Sequence, residues 1–418
     1  MGALTRRKGA TRGSSKKSIG AVAAPAVRTV QLSPAATAMV WLGPGKPHEQ
    51  TAFPGVPLGV GEVLVAIELA TICGSDVHTV RGDRSAPAPS ILGHEQVGRV
   101  VALGPTSVDA TDGLPLSVGD RVVWSITVSC GECDRCARGL TQKCRSLAKY
   151  GHERIAPRWE LTGGFASHAH LRAGTAIVRV SADVPAEVLA PVSCGTATAW
   201  AALEQAARAV DLEGAVVLIS GAGLIGLTAA AMASDRGASV VVVDPDPARR
   251  ALALRFGADE TADPASGPAG LRAALVAAGR AAGRGSGRSF GTGAGKASGS
   301  VDVGEADVVI EASGSWRAVA SGLDLVATGG VVVLVGSVSP SESVALDPER
   351  IVRGLITIRG VHNYTAPDLT AAVAFVTARS DEYPFAALVG ATVSLARLDE
   401  GIALAGPGGP VRVAVTPV

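Results

Sequence analysis

Val216-Val217-Leu218-Ile219-Ser220-Gly221-Ala222-Gly223-Leu224-Ile225-Gly226 decides the fold. The first five residues read as a short buried strand, and the apolar pattern from Leu224 to Arg236 as a helix. A G-x-G-x-x-G triplet alone is weak evidence, but here it stands between a strand and a helix. Gly221 permits the tight turn, Gly223 lets the backbone approach a pyrophosphate, and Gly226 lets the helix pack close to the sheet. The backbone around Leu224 and Ile225 opens the helix, so its N–H groups and positive dipole end meet the phosphates. Asp244 ends the next strand eighteen residues after Gly226. Its carboxylate can accept hydrogen bonds from both adenosine ribose hydroxyls and would repel a 2′-phosphate, so NAD is expected rather than NADP. Arg249 and Arg250 keep the alternative open, since arginines here can receive a 2′-phosphate.

The same alternation runs outward from this stretch. β-Branched runs recur at Val240–Asp244, Asp307–Glu311 and Val331–Val335, with helical patterns at Leu224–Arg236 and Pro247–Phe256. Such a series implies βαβ units on a parallel sheet. Before residue 195 the chain reads differently. Short Val-rich strands at Glu62–Leu69, Gly98–Ala102 and Arg121–Trp124 are separated by Gly, Pro and Asp. Residues 281–300 interrupt the second region with Gly, Ser and Ala and no acidic residue, the composition of a flexible insert. Arg284, Arg288 and Lys296 give it a conceivable phosphate-binding role, set against the expectation of a surface loop.

Composition narrows the classes. Aromatic residues are 3% of the 418, which argues against stacking on nucleic-acid bases. The net charge of +1 is a cancellation. Residues 1–38 hold seven basic residues and no acidic one, leaving −6 on the rest. That segment is expected to be a disordered extension, with a nucleic-acid or membrane arm as the competing reading. Its apolar run, Ile19–Val27, is far too short to span a bilayer and lacks a convincing cleavage pattern. No nucleic-acid partner and no membrane partner are expected.

Six cysteines are too few for a disulfide scaffold, and their spacing divides them. Cys130, Cys133, Cys136 and Cys144 form C-x2-C-x2-C-x7-C. Four thiolates at this spacing suit one closed, tetrahedral Zn²⁺. Free thiols are an alternative; an iron–sulfur cluster is another, although the spacing departs from the common ferredoxin runs. Cys73 and Cys194 remain. The first lies in Thr71-Ile72-Cys73-Gly74-Ser75-Asp76-Val77-His78, followed by Gly93-His94-Glu95; the second lies in Ser193-Cys194-Gly195-Thr196-Ala197-Thr198.

These segments, in this order and with the four-cysteine loop between them, resemble the zinc-dependent medium-chain dehydrogenases of the alcohol dehydrogenase superfamily, from about residue 39 to 418. The resemblance implies that Cys73, His94 and Cys194 hold a catalytic zinc. Two thiolates and an imidazole leave one coordination position open, the pattern of a catalytic site. It also implies Asp76 orienting His94, Glu95 behind the metal assisting ligand exchange, and Ser75 bonding the substrate oxygen. His78 would end a proton relay to solvent. Arg249 matches a ribose contact of NAD-using relatives, and Gly336, Ser337 and Val338, with Gly360-Val361-His362, match backbone at the nicotinamide. His48, His152, His168, His170 and His362 lack such motifs; of these, His152 and His362 are the two placed near the substrate.

The implied architecture is α/β: a GroES-like β-rich catalytic domain over 39–195, a doubly wound Rossmann NAD-binding domain over 196–350, and a return to the catalytic domain over 351–418. The implied reaction is reversible hydride transfer between an alcohol and NAD, with two zinc ions per chain. Segments Gly163–Ala166, Leu171–Ile177 and Ile358–Tyr364 resemble a subgroup proposed to accompany phosphonate catabolism, which implies a phosphonate-bearing alcohol. Polyol, threonine and terpenoid alcohols are the alternatives, and a non-catalytic nucleotide-binding protein is the remote one. Arg158, Arg172, Arg353 and Arg359 are candidates for an anionic head group. A cytoplasmic homodimer or homotetramer is expected.

Overall fold

The computed structural model describes Gly2, residues 27–281 and residues 304–417. Two large sheets organise them. The first is six-stranded and entirely parallel, in the spatial order Glu260–Ala262, Ser239–Val243, Val216–Ser220, Ala306–Glu311, Val326–Leu334, Thr357–Gly360. Its central strands are buried along their whole length, as helices on both faces demand. Helices Gly195–Ala207 and Leu224–Asp235 pack on each other, and Ala366–Ala378 packs on the first. Half of the buried residues of the first two are alanine, so close helix approach does the work that aromatic residues do elsewhere.

The second sheet has seven strands and is mainly antiparallel. Its order is Ile177–Arg179, Arg121–Trp124, Glu95–Leu103, Val63–Ile72, Arg412–Thr416, Val389–Ser394, with His168–Leu171 also on Val63–Ile72. The last strand of the chain thus lies inside a sheet built mostly from its first half, antiparallel to Val63–Ile72. That insertion brings residue 412 beside residues 73 and 95. The α/β class and both sheet types match the reading from sequence.

Two boundaries differ. Residues 28–38 belong to a 14-residue strand, Arg28–Trp41, paired from Arg28↔Leu58 to Val40↔Glu49. Six of the seven basic residues that suggested disorder precede this strand. Within it Val30 and Leu32 pack on the core, Ala36 and Ala38 are buried, and Pro34 sits in the register shift between Gln31 and Ala36. The return to the second sheet also comes later than residue 350. Thr357–Gly360 is the edge strand of the parallel sheet, and Ala366–Ala378 still packs on that side. An edge strand that is only half-buried lacks the apolar run that marks the inner strands. The insert read at 281–300 lies outside the described residues except for Ala281, as do Arg284, Arg288 and Lys296. Among the described residues no helix is long and apolar enough to cross a membrane.

Candidate active site and metal centres

Cys73 caps the helix Gly74–Arg81 in a capping box: its side chain accepts from the Asp76 N–H, and Asp76 Oδ2 accepts from the Cys73 N–H at 3.0 Å. The cap fixes Cys73 at the end of a strand and turns Asp76 inward. Asp76 Oδ1 then accepts from the Gly93 N–H at 3.2 Å and stands 3.4 Å from His94 Nδ1, a charge contact without hydrogen-bond alignment. Gly93 has φ +84°, and a Cβ there would fall 2.8 Å from the Phe165 ring, so the turn presenting His94 requires glycine. Cys194 stands where the short helix Ala190–Ser193 becomes Gly195–Ala207. Ser193 ties it to the histidine, with Oγ donating to the His94 carbonyl at 3.2 Å. Tyr364 donates to the Ser193 carbonyl and accepts from the Ile126 N–H.

One donor atom each from Cys73, His94, Glu95 and Cys194 lie within 4.8 Å of one another. Glu95 is fully buried. It accepts from Thr71 Oγ1 at 2.6 Å and from Arg412 Nε and Nη2 at 2.7 and 2.8 Å, so any approach to a metal requires release from Arg412. Burial pushes its carboxyl up to about 7, against the opposing pull of Arg412. Burial also opposes charge on His94, yet Asp76 and Cys73 hold the imidazole up to about 10. The hydrogen bond from Cys194 holds Cys73 well below the ordinary thiol range, with Arg412 aiding and burial opposing. The neighbouring Cys73 and burial push Cys194 the other way, well above the ordinary thiol range, and two sulfurs with one imidazole suit zinc.

Ser75 Oγ is 3.3 Å from His94 Nε2, on the ring edge away from Asp76. His78 is half exposed, 3.1 Å from Asp83. The His152 ring centroid lies 4.8 Å from that of His94, while His362 meets Lys143. His48 pairs with Asp399 at 2.6 Å, His170 with Glu62 at 2.9 Å, and His168 contacts Ser167. Among the four arginines read as candidates for an anionic head group, three are engaged elsewhere. Arg172 pairs with Glu62, Arg353 with Glu349 and Arg359 with Gln205, and Arg158 is exposed. Thr71, Ser193 and Tyr364 lie in segments read from the sequence but carry no expected role there, and Arg412 lies in no motif; all four organise the site.

The second cysteine group is a loop feature. Cys133 heads the short helix Asp134–Ala137, and the sulfur contacts are 3.6 Å for Cys133–Cys136, 3.9 Å for Cys133–Cys144 and 3.4 Å for Cys144–Cys130. A tetrahedron with Zn–S bonds of about 2.3 Å has edges of about 3.8 Å, so these spacings fit zinc. Backbone N–H groups pull the Cys133 thiol down to about 6, while burial pushes Cys136 up to about 11.

The glycine loop borders a cavity of about 950 Å³ lined by Gly221, Gly223, Asp244, Arg249 and Arg317, among others. Gly221 has φ +102°; a Cβ at Gly226 would fall 1.8 Å from the Gly221 carbonyl oxygen, and one at Gly223 would meet nothing within 4 Å. Asp244 Oδ2 accepts from the Ala222 N–H at 2.7 Å and Oδ1 from the Asp246 N–H at 2.9 Å, which leaves each oxygen a second lone pair. Arg249 donates to the Gly409 carbonyl, and Arg250 to the Asp244 carbonyl. Leu224 and Ile225 do not line the cavity; Leu224 is buried against Gly195, joining the loop to the helix that follows Cys194. Gly336, Ser337 and Val338 also lie off this lining: Gly336 packs on residues 312–314, Ser337 bonds Glu311 and Val338 is exposed.

Comparison with known proteins agrees with this fold. Residues 59–182 match the family model described as alcohol dehydrogenase GroES-like domain, and residues 225–378 the one described as zinc-binding dehydrogenase. The L-threonine 3-dehydrogenase of Deinococcus deserti is 30% identical over 311 residues, 73% of this chain and 77% of that one. The 5-exo-hydroxycamphor dehydrogenase of Pseudomonas putida is 34% identical over 203 residues, 48% of this chain and 55% of that one. An alcohol dehydrogenase structure from Thermotoga maritima superposes with a TM-score of 0.79 at 28% identity, covering 92% of this chain and 99% of that one. The chain therefore belongs to the zinc-binding medium-chain alcohol dehydrogenase superfamily, enzymes that act on CH–OH groups.

Proposed function

We propose that the chain catalyses reversible, NAD-linked oxidation of a functionalised alcohol, with catalytic zinc held by Cys73, His94 and Cys194. Cys130, Cys133, Cys136 and Cys144 hold a structural zinc. The observation that carries this reading is the convergence of those buried donors beside Ser75. When bound, zinc supplies Lewis acidity and the nicotinamide accepts the hydride. The residues do the rest. Asp76 holds the His94 ring so that Nε2 faces the site. The Ser75 hydroxyl accepts the substrate's hydroxyl hydrogen. His78, open to solvent, carries the released proton away. Glu95 and Arg412 close the floor beneath Cys73 and exclude water.

Asp244 supports NAD, because a 2′-phosphate would meet its carboxylate. Asp244→Ala should lower the preference for NAD over NADP by roughly tenfold, a loss of charge-assisted hydrogen bonds and of repulsion together. Steady-state assays with both cofactors check this; an unchanged ratio removes the reason for choosing NAD. A phosphonate-bearing alcohol is the substrate class we favour, over polyol, threonine or terpenoid alcohols. The direct test is NADH absorbance across a panel of alcohols with zinc-loaded enzyme, and no turnover by any of them would refute the reading.

We place the enzyme in the cytoplasm, where thiolates stay reduced, as a homodimer or homotetramer. Exposed Val352, Leu355 and Ile358 at the edge of the parallel sheet support association there, which sedimentation would detect.

A further inference from the structure

We propose that Arg84 and Lys149, with Lys143, form an anion-binding subsite beside the catalytic metal ligands. It selects alcohols that carry a compact oxyanion, phosphonate or carboxylate, near the carbinol carbon. The proposal rests on the dehydrogenase reading above and adds to it the residues that choose the substrate.

Three features place the subsite. Arg84 follows the helix that Cys73 caps, and its N–H bonds the His78 carbonyl. Its Nη1 lies 3.1 Å from His152 Nε2, and the His152 ring is 4.8 Å from that of His94, so the guanidinium stands one side chain away from a metal ligand. Lys149 ends the short strand Ala148–Lys149, next to Tyr150. It is largely buried, and the charges acting on it are those of Cys194, Arg84, Cys73 and Asp76. Lys143 reaches His362 in the same region.

The second argument is the missing counter-charge. Among the described residues no carboxylate lies within ion-pair distance of Arg84, Lys143 or Lys149. Arg121, Arg172, Arg179, Arg379 and Arg412 each pair with a carboxylate. The thiolates that Lys149 faces would be neutralised by their metal, and Asp76 is engaged with His94 and two backbone N–H groups. Arg84 and Lys149, both partly buried, repel each other, and an anionic ligand relieves that repulsion. The field is visible at His362, which burial, then Lys143, Lys149 and Arg84, push down to about 4. His362 Nδ1 faces the Lys143 ammonium, which leaves the N–H of the neutral ring on Nε2.

The anion is not the cofactor's pyrophosphate, because none of the three cations lines the cavity of Gly221, Gly223 and Asp244.

The test compares 2-hydroxyethylphosphonate, 3-hydroxypropionate and 1-propanol with zinc-loaded enzyme and NAD. One of the two oxyanions should exceed 1-propanol in kcat/KM by at least about tenfold, and which one does so separates phosphonate from carboxylate. In Arg84→Gln and Lys149→Gln that ratio should fall at least about tenfold, chiefly through KM, with Arg84→Lys recovering part of it. Methylphosphonate and propionate titrated calorimetrically into wild-type enzyme give a readout that needs no turnover. At least one should bind, and Lys149→Gln should weaken it by about tenfold. Preference for 1-propanol in the wild type, or unchanged ratios in folded variants, overturns the proposal. If no alcohol is oxidised while the anion binds and the variants lose it, the dehydrogenase reading falls and the subsite stands.

Discussion

Cys73→Ala should lower kcat/KM for every alcohol by roughly a thousandfold or more, since Lewis-acid charge stabilisation contributes several kcal/mol at about 1.4 kcal/mol per factor of ten. It should also lower zinc content from about two ions per chain to about one. Only one of the two losses follows from general damage. Alanine removes a side chain that caps Gly74–Arg81, which costs about 1 kcal/mol, and the domain tolerates that. The four-cysteine loop spans 130–144 and shares no ligand with Cys73, so its zinc stays as an internal standard. His94 and Cys194 remain in place, but two protein ligands hold zinc far less firmly than three. Elemental analysis on the same sample as the NADH assay reads both effects. Full activity, or retention of both ions, would show that the catalytic metal is not at Cys73.

The parts of this enzyme that sequence makes legible are those whose chemistry is contiguous. The strand Val216–Ser220, the turn at Gly221 and the helix from Leu224 depend on one another locally, and the structure keeps all three bounds. The same holds for the cysteine loop. Cys73, His94 and Cys194 are far apart in sequence, yet each is recognisable from its neighbours, and Asp76 explains why. It sits three residues from Cys73 because a capping box needs that spacing, and the same carboxylate reaches Gly93 and His94.

What sequence hides is whatever a late strand carries to an early one. Arg412 lies 317 residues from Glu95, and only insertion of Arg412–Thr416 beside Val63–Ile72 makes them partners. Arg84 and Lys149 are hidden for a different reason: their meaning lies in the counter-ions they lack, a property of three dimensions alone. The opposite error arose at residues 28–38, where the charge of the preceding residues obscured an alternating strand.

Arg412→Met should destabilise the folded protein by about 3–5 kcal/mol, the usual cost of removing one partner of a buried ion pair. The substitution keeps the bulk of the side chain, so the effect reads the charge rather than a cavity. Both guanidinium bonds end on a carboxylate with no exposure to solvent, and the remaining Thr71 hydroxyl can satisfy only part of it. Glu95 must then either stay ionised without its partner or take a proton, and both are costly at pH 7. The double variant Glu95→Gln with Arg412→Met removes both charges together. It should be more stable than Arg412→Met alone by more than about 1 kcal/mol, because groups in direct contact are not additive. Urea denaturation of the zinc-loaded wild type, the two single variants and the double variant closes the cycle. A cost below about 1 kcal/mol for Arg412→Met, or strict additivity, would mean that solvent reaches Glu95 and that the pair does not close the floor beneath Cys73.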